Sequence, residues 1–179
     1  MDYGPLAILL FALLSSPLLI GALRRRMRGW RFAAVVLLMA YILFAAKYFF
    51  FPIYFAGDGL RGAGLGLELL PVQPLVEQAR HMGASVFLWN VGGNILAFVP
   101  LTFLCAAAYP RFRRFGASTE LAVLCSLGVE LTQLAINLLT HMQNRAVDVN
   151  DVLLNTIGGM LGFACWRLAS AAYRSIKHT

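Results

Sequence analysis

Glu130, Gln133, Arg145, Asp148, Asp151 and Asn155 set carboxyl, carboxamide and guanidinium groups close together in one stretch of the chain. Carboxyl groups accept hydrogen bonds or exchange protons, and carboxamides bind sugars, peptides and amines. The guanidinium of Arg145 suits a phosphate or a carboxylate, which it can hold in a forked geometry. These residues lie in or beside segments otherwise apolar enough to span a bilayer. Ionisable groups are costly at membrane depth, so such residues mark a functional site by default.

Composition defines the elements that must position them. Of 179 residues, 60% are apolar and 13% charged, and the mean hydropathy is +0.72. Soluble domains are about 45–50% apolar, and so few charges could not cover a soluble surface. An integral membrane protein is expected. A net charge of +7 would suggest nucleic acid in a soluble chain. Here the basic residues fall in short loops between apolar runs, so no nucleic-acid partner is expected. Cys105, Cys125 and Cys165 lie inside apolar runs without metal-type spacing and read as packing residues.

A hydrocarbon core of about 30 Å needs about 20 residues of helix. Residues 5–23, 32–55, 86–108, 120–139 and 152–172 qualify as spans. The first differs from a signal peptide because Asp2 precedes it, while Arg24, Arg25, Arg26 and Arg28 follow it. With Arg31 these arginines fill the first loop. Arg111, Arg113 and Arg114 fill the third, and Arg167, Arg174 and Lys177 close the C-terminal end. Five spans put all three segments on one side, which the positive-inside rule assigns to the cytoplasm. The expected fold is therefore all-α, a polytopic membrane bundle of about five transmembrane helices. Its N-terminus is outside and its C-terminus cytoplasmic, and residues 1–179 form a single membrane domain. Nothing in the sequence specifies an oligomeric state. The long outer loop, residues 56–85, is Gly-rich at first and then apolar through Leu67-Glu-Leu-Leu-Pro-Val-Gln-Pro74. That piece reads as an interfacial or re-entrant segment, or as an ordered surface loop.

Helical spacing orients the polar groups. In the fourth span Ser126, Glu130, Gln133 and Asn137 stand at i, i+4, i+7 and i+11, on one face. That face must meet protein or water rather than lipid. At the outer end of the third span Asn90 and Asn94 are four residues apart, with Gly93 and Ala97 beside them to admit a close neighbour. Pro100 predicts a kink in that span. Asp148, Asp151 and Asn155 share a face that continues into Gly158 and Gly162, a small-xxx-small packing signature. The topology brings all three faces to the outer half of the membrane, with Arg145 and Asp148 in the short loop above. The predicted object is a polar pocket opening outward or into the outer leaflet, with membrane lipids around it.

Several of these residues also fit purely structural roles. Asp148 suits the N-cap of the fifth span and Asp151 its first turn. Arg145 could neutralise either, and Asn90, Asn94 and Gln133 could join helices. Glu130 is the hardest to explain this way, since no cap or surface role suits a mid-span carboxyl. Lys47, near the outer end of the second span, reads as snorkelling to the interface beside Tyr48 and Tyr54. Pairing with the acidic pocket is its alternative. His81, His141 and His178 lack a zinc spacing, so neither a metal nor a cofactor is expected. No Gly-x-Ser-x-Gly, phosphate-binding Gly loop or Cys/His pairing supports a nucleophilic enzyme.

The chain resembles the VanZ-like family of small bacterial membrane proteins. The matching pieces are Asn90-Val-Gly-Gly-Asn94-Ile-Leu-Ala-Phe-Val-Pro100-Leu, Glu130-Leu-Thr-Gln133, and Arg145-Ala-Val-Asp148-Val-Asn-Asp151-Val-Leu-Leu-Asn155-Thr-Ile-Gly158-Gly-Met-Leu-Gly162. Leu67-Glu-Leu-Leu-Pro71 is similar to an Asn-Leu-Ile-Pro piece of that family, with Glu68 in place of the asparagine. The resemblance covers about the second half of the chain, a core of three transmembrane helices over residues 86–173. It implies a multi-pass protein of a bacterial cytoplasmic (inner) membrane, related to one that confers low-level resistance to teicoplanin, a lipidated glycopeptide.

By carry-over it implies a site of Asn90, Asn94, Glu130, Gln133, Arg145, Asp148, Asp151 and Asn155. The first functional reading is a binding protein for a lipid-linked envelope precursor or a lipoglycopeptide. The second is an intramembrane enzyme with Glu130 and Asp151 as acid–base candidates and Arg145 holding an anionic group. The third is a structural membrane subunit. A proton-coupled transporter also uses buried carboxyls, but five spans without an internal repeat fit it poorly as a monomer.

Overall fold

The computed structural model describes residues 29–55, 66–81 and 83–177, with single positions and pairs between 9 and 24. The described part of the span predicted over residues 5–23 is helical; the rest of it lies outside the described residues, as do Gly57, Gly59, Gly62, Gly64 and His178. Chain order runs α1 (Trp30–Phe50), β1 (Leu67–Glu68), α2 (Gln73–His81) and α3 (Ala84–Ala108). A 3-10 turn (Pro110–Arg113) leads into α4 (Phe115–Thr140), β2 (Val147–Asp148) and α5 (Val149–Lys177). Helices α1, α3, α4 and α5 are each long and apolar enough to cross a membrane.

The helix ends differ from the apolar runs for local reasons. α1 stops at Phe50 rather than at residue 55, because Phe51 precedes Pro52 and is extended (φ −118°, ψ 149°), as a residue before proline prefers. α3 continues through Pro100 to Ala108, so the proline does not end it. α5 outruns its apolar stretch: 29 residues at 1.5 Å each make about 44 Å, against a hydrocarbon core of about 30 Å. Arg174 and Lys177 fall in its last turn.

α3 and α5 form the most extensive helix pair, with α1 laid on α3 and α4 on α5. Small residues make this seam possible. A Cβ on Gly158 would collide with the carbonyl oxygen of Ile95, and one on Gly162 with that of Val99. Backbone thus lies on backbone, and Thr102 Oγ1 adds a hydrogen bond to the Gly159 carbonyl at 2.7 Å.

One apolar cluster joins Ala34, Val35 and Ala106 to Phe163 and Trp166. A second joins Leu38, Phe49, Phe98, Leu101, Cys105 and Ala122. α4 is arranged differently. Its buried face is Ser118, Ala122, Ser126, Glu130, Gln133, Asn137 and Thr140, while Leu124, Leu131 and Leu139 point outward. Outward leucines are favourable where the surroundings are lipid tails.

The apolar segment after α1 is an exposed, ordered stretch tied to a distant part of the chain. β1 pairs in parallel with β2, Leu67 opposite Val147 and Glu68 opposite Asp148. It straps the loop after α1 to the loop between α4 and α5. Gly66 takes a positive φ of 61° where a side chain would strike Gln143, which brings its carbonyl to the Val147 N–H at 2.8 Å.

Candidate functional site

The polar end of the bundle begins where α1 ends. Arg145 Nη2 donates to the carbonyls of Tyr48 (3.3 Å) and Phe51 (3.1 Å). Carbonyls at a helix C-terminus lack intrahelical donors and attract cations, so Arg145 closes α1 instead of neutralising an aspartate. Asn144 pairs with the backbone of Tyr54, accepting its N–H at 2.6 Å and donating to its carbonyl at 3.1 Å. Asn137, on the buried face of α4, donates to the Arg145 carbonyl at 2.8 Å and accepts the Asn144 N–H at 2.8 Å. These bonds lock the α4–α5 loop onto α1.

The same loop leads into α5 through Asp148. Its Oδ1 accepts the N–H of Asn150 at 2.8 Å, the bond expected of an N-cap, and also the Asn150 Nδ2 at 2.8 Å. Its own N–H donates to Glu130 Oε2 at 2.9 Å. Asn150, fully buried, reaches the strap by accepting the Val72 N–H (2.7 Å) and donating to the Leu70 carbonyl (3.2 Å). One carboxamide therefore serves the backbone of a remote segment as a further strand would.

A cleft of about 230 Å³ lies among these elements. Asn90 and Asn94 of α3, Gln133 of α4, Arg145 and Asp148 of the loop and Asp151 of α5 line it. Tyr48, Phe49, Glu68, Ala146 and Leu154 complete the wall. Asn94 Nδ2 donates to Asp151 Oδ1 at 2.5 Å, so α3 and α5 meet at the cleft through a charged hydrogen bond. Gln133 Nε2 donates to the Phe49 carbonyl at 3.1 Å, while its Oε1 is buried without a partner.

Glu130 and Asn155 are placed otherwise. Glu130 does not line the cleft; it stands behind Asp148 and holds that residue's amide. Asn155 lies deeper, where its Nδ2 donates to Ser126 Oγ at 2.8 Å and its Oδ1 is buried without a partner. Lys47 is exposed and outside the lining, whereas Glu68 belongs to it.

Helical spacing does not single out Asn144 or Asn150. The available signal for Asn150 is an amide in the first turn of an apolar helix, off the face shared by Asp151 and Asn155. Nothing local distinguishes Asn144. Chemically the cleft is rich in acceptors, with carboxylates and amides facing one guanidinium. It suits hydrogen-bonded recognition of a polar group.

No curated protein and no solved structure matches the chain. A family model described as VanZ/LLP1 matches residues 32–170. The matched region contains every residue that lines the cleft, and it extends the resemblance past the second half of the chain into α1. With its apolar spanning helices, the chain is a multi-pass membrane protein and belongs to the VanZ/LLP1 family.

Proposed function

We propose that this is a binding protein of a bacterial cytoplasmic membrane whose cleft opens outward and takes the polar end of an amphiphile from the outer leaflet. The amphiphile is a lipid-linked envelope component or a lipoglycopeptide antibiotic, as the resemblance to a teicoplanin-resistance protein implies. One observation carries this reading: side chains from four spanning helices and the α4–α5 loop, most of them with hydrogen-bonding groups, line one cleft. Charge distribution supports the orientation. Arg113 lies over Trp30 and Trp166, at the end of the bundle away from the cleft, where arginine favours the cytoplasm.

Acid–base catalysis by Glu130 and Asp151 would need both carboxyls to reach one substrate. Of these two, only Asp151 lines the cleft, which favours binding over this acid–base pair. The test is Asp151→Asn in purified, reconstituted protein, since the amide can still accept from Asn94. Affinity for a labelled lipid-linked precursor or a lipoglycopeptide should fall about tenfold, the effect of losing one charged hydrogen bond, with thermal unfolding little changed. Unchanged affinity for both ligands sinks the binding reading. An unstable variant that no longer inserts supports a structural subunit instead.

A further inference from the structure

The donors and acceptors in the cleft wall are badly out of balance. Glu68, Asp148 and Asp151 bring three carboxylates against the single guanidinium of Arg145. Asn150 and Asn94 engage one oxygen of Asp148 and one of Asp151. The second oxygen of each, and both oxygens of Glu68, have no donor among the described residues. Gln133 gives an independent sign of the same excess. It is 6% exposed, and its Oε1 is a buried acceptor without a partner. Its Nε2 donates to the Phe49 carbonyl, which fixes the amide, because the flipped form would set two oxygens against each other. A buried acceptor left unpaired is costly.

A partner that matches this wall brings donors and positive charge. A primary ammonium offers three donors and no acceptor. Hydroxyl groups would add as many acceptors as they satisfied and would leave the charge unopposed. A metal ion fits poorly, since no three His, Cys, Asp or Glu side chains among the described residues converge closely enough to hold one. Arg145 supplies the complementary feature. Its Nη2 is committed to the Tyr48 and Phe51 carbonyls, and its other guanidinium nitrogens can hold an anion. The volume of about 230 Å³ is below the roughly 300–1,000 Å³ of pockets for drug-sized ligands. It admits a headgroup, not a whole glycopeptide.

Resting on the reading of the cleft as the seat of an amphiphile's polar end, we infer that it takes a zwitterionic lipid headgroup, a primary ammonium among Glu68, Asp151 and Gln133 with its phosphate at Arg145. The matching lipid class is an ethanolamine phospholipid.

Native mass spectrometry of the detergent-solubilised protein can compare phosphatidylethanolamine with phosphatidylglycerol, which keeps the phosphate and replaces the ammonium by hydroxyls. Phosphatidylethanolamine should bind about tenfold tighter. Glu68→Gln, at an exposed side chain without partners among the described residues, should shrink that preference severalfold without affecting folding. Arg145→Ala should weaken both lipids. Water-soluble glycerophosphoethanolamine should not compete at concentrations where the lipid does; equal competition would reassign the site to a soluble amine and overturn the lipid assignment. Equal binding of the two lipids, still weakened by Asp151→Asn, would overturn the ammonium inference and leave the amphiphile reading intact. Lipid binding indifferent to every cleft variant would overturn both.

Discussion

The two ends of the bundle use an arginine in opposite ways. At the end away from the cleft, Arg113 lies 5.8 Å from the ring centroids of both Trp30 and Trp166, and its Nε donates to the Ala106 carbonyl at 3.3 Å. Around it the packing is apolar: Ala34, Val35, Ala107 and Phe163. At the cleft end Arg145 serves backbone carbonyls at the end of α1. Its surroundings are Asn137, Asp148 and Asn150, all buried and all hydrogen-bonded. One end is held by packing and the other by directed hydrogen bonds. In lipid the inside of a bundle need not be more apolar than the outside, because acyl chains match leucine as surroundings. Polar residues can then gather at one end without a solvent-facing surface, provided each finds a partner.

Three substitutions should break or sharpen this contrast. The largest effect is expected from Gly162→Leu. The α3–α5 seam runs through both halves, and the new side chain would drive against the Val99 carbonyl and Thr102. A loss of about 3 kcal/mol, read as loss of the folded protein in a thermal-unfolding assay in detergent, would make the seam common to both ends. A protein that unfolds normally would show the seam to be pliable.

Asn150→Ala should cost about 2 kcal/mol at the cleft end only, since it strands the Val72 N–H and the Leu70 carbonyl. Hydrogen exchange should rise in residues 67–72 and stay unchanged around Trp166. Protection retained in the strap would mean that the β1–β2 pair suffices without the asparagine.

Arg113→Ala should have the smallest effect, about 1 kcal/mol from the lost cation–π contacts, with lipid binding at the cleft unchanged. A change in cleft affinity would show that the two ends are coupled.

The polar face of α4 was legible because a period of 3.6 residues aligns Ser126, Glu130, Gln133 and Asn137, and burial follows that face. The N-cap role of Asp148 was legible too, since it is a local matter of helix-end donors. Glu130 was harder. Its depth marked it as needing a partner, but the partner is the amide of Asp148, which no helical spacing indicates. Arg145 faced two nearby aspartates in sequence, and the structure gives it instead to carbonyls of Tyr48 and Phe51, more than ninety positions away. Asn144 and Asn150 likewise act on backbone from distant parts of the chain. Backbone groups carry no residue-type signal, so contacts to them stay hidden until the chain is folded.

By itself the sequence determined that apolar helices cross the membrane, that polar faces on three of them meet at one end, and that glycines on α5 admit a close neighbour. These follow from hydropathy, helical period and side-chain size, which are properties of short stretches. Only the tertiary structure decided which of those polar residues reach the cleft. It set Asp151 and Glu68 in the wall, withdrew Glu130 and Asn155 behind it, and left Gln133 with an oxygen unmatched. The physical reason is that helix ends and a strap of irregular backbone must satisfy their own hydrogen bonds first. The groups left over after that demand are the ones free to meet a ligand.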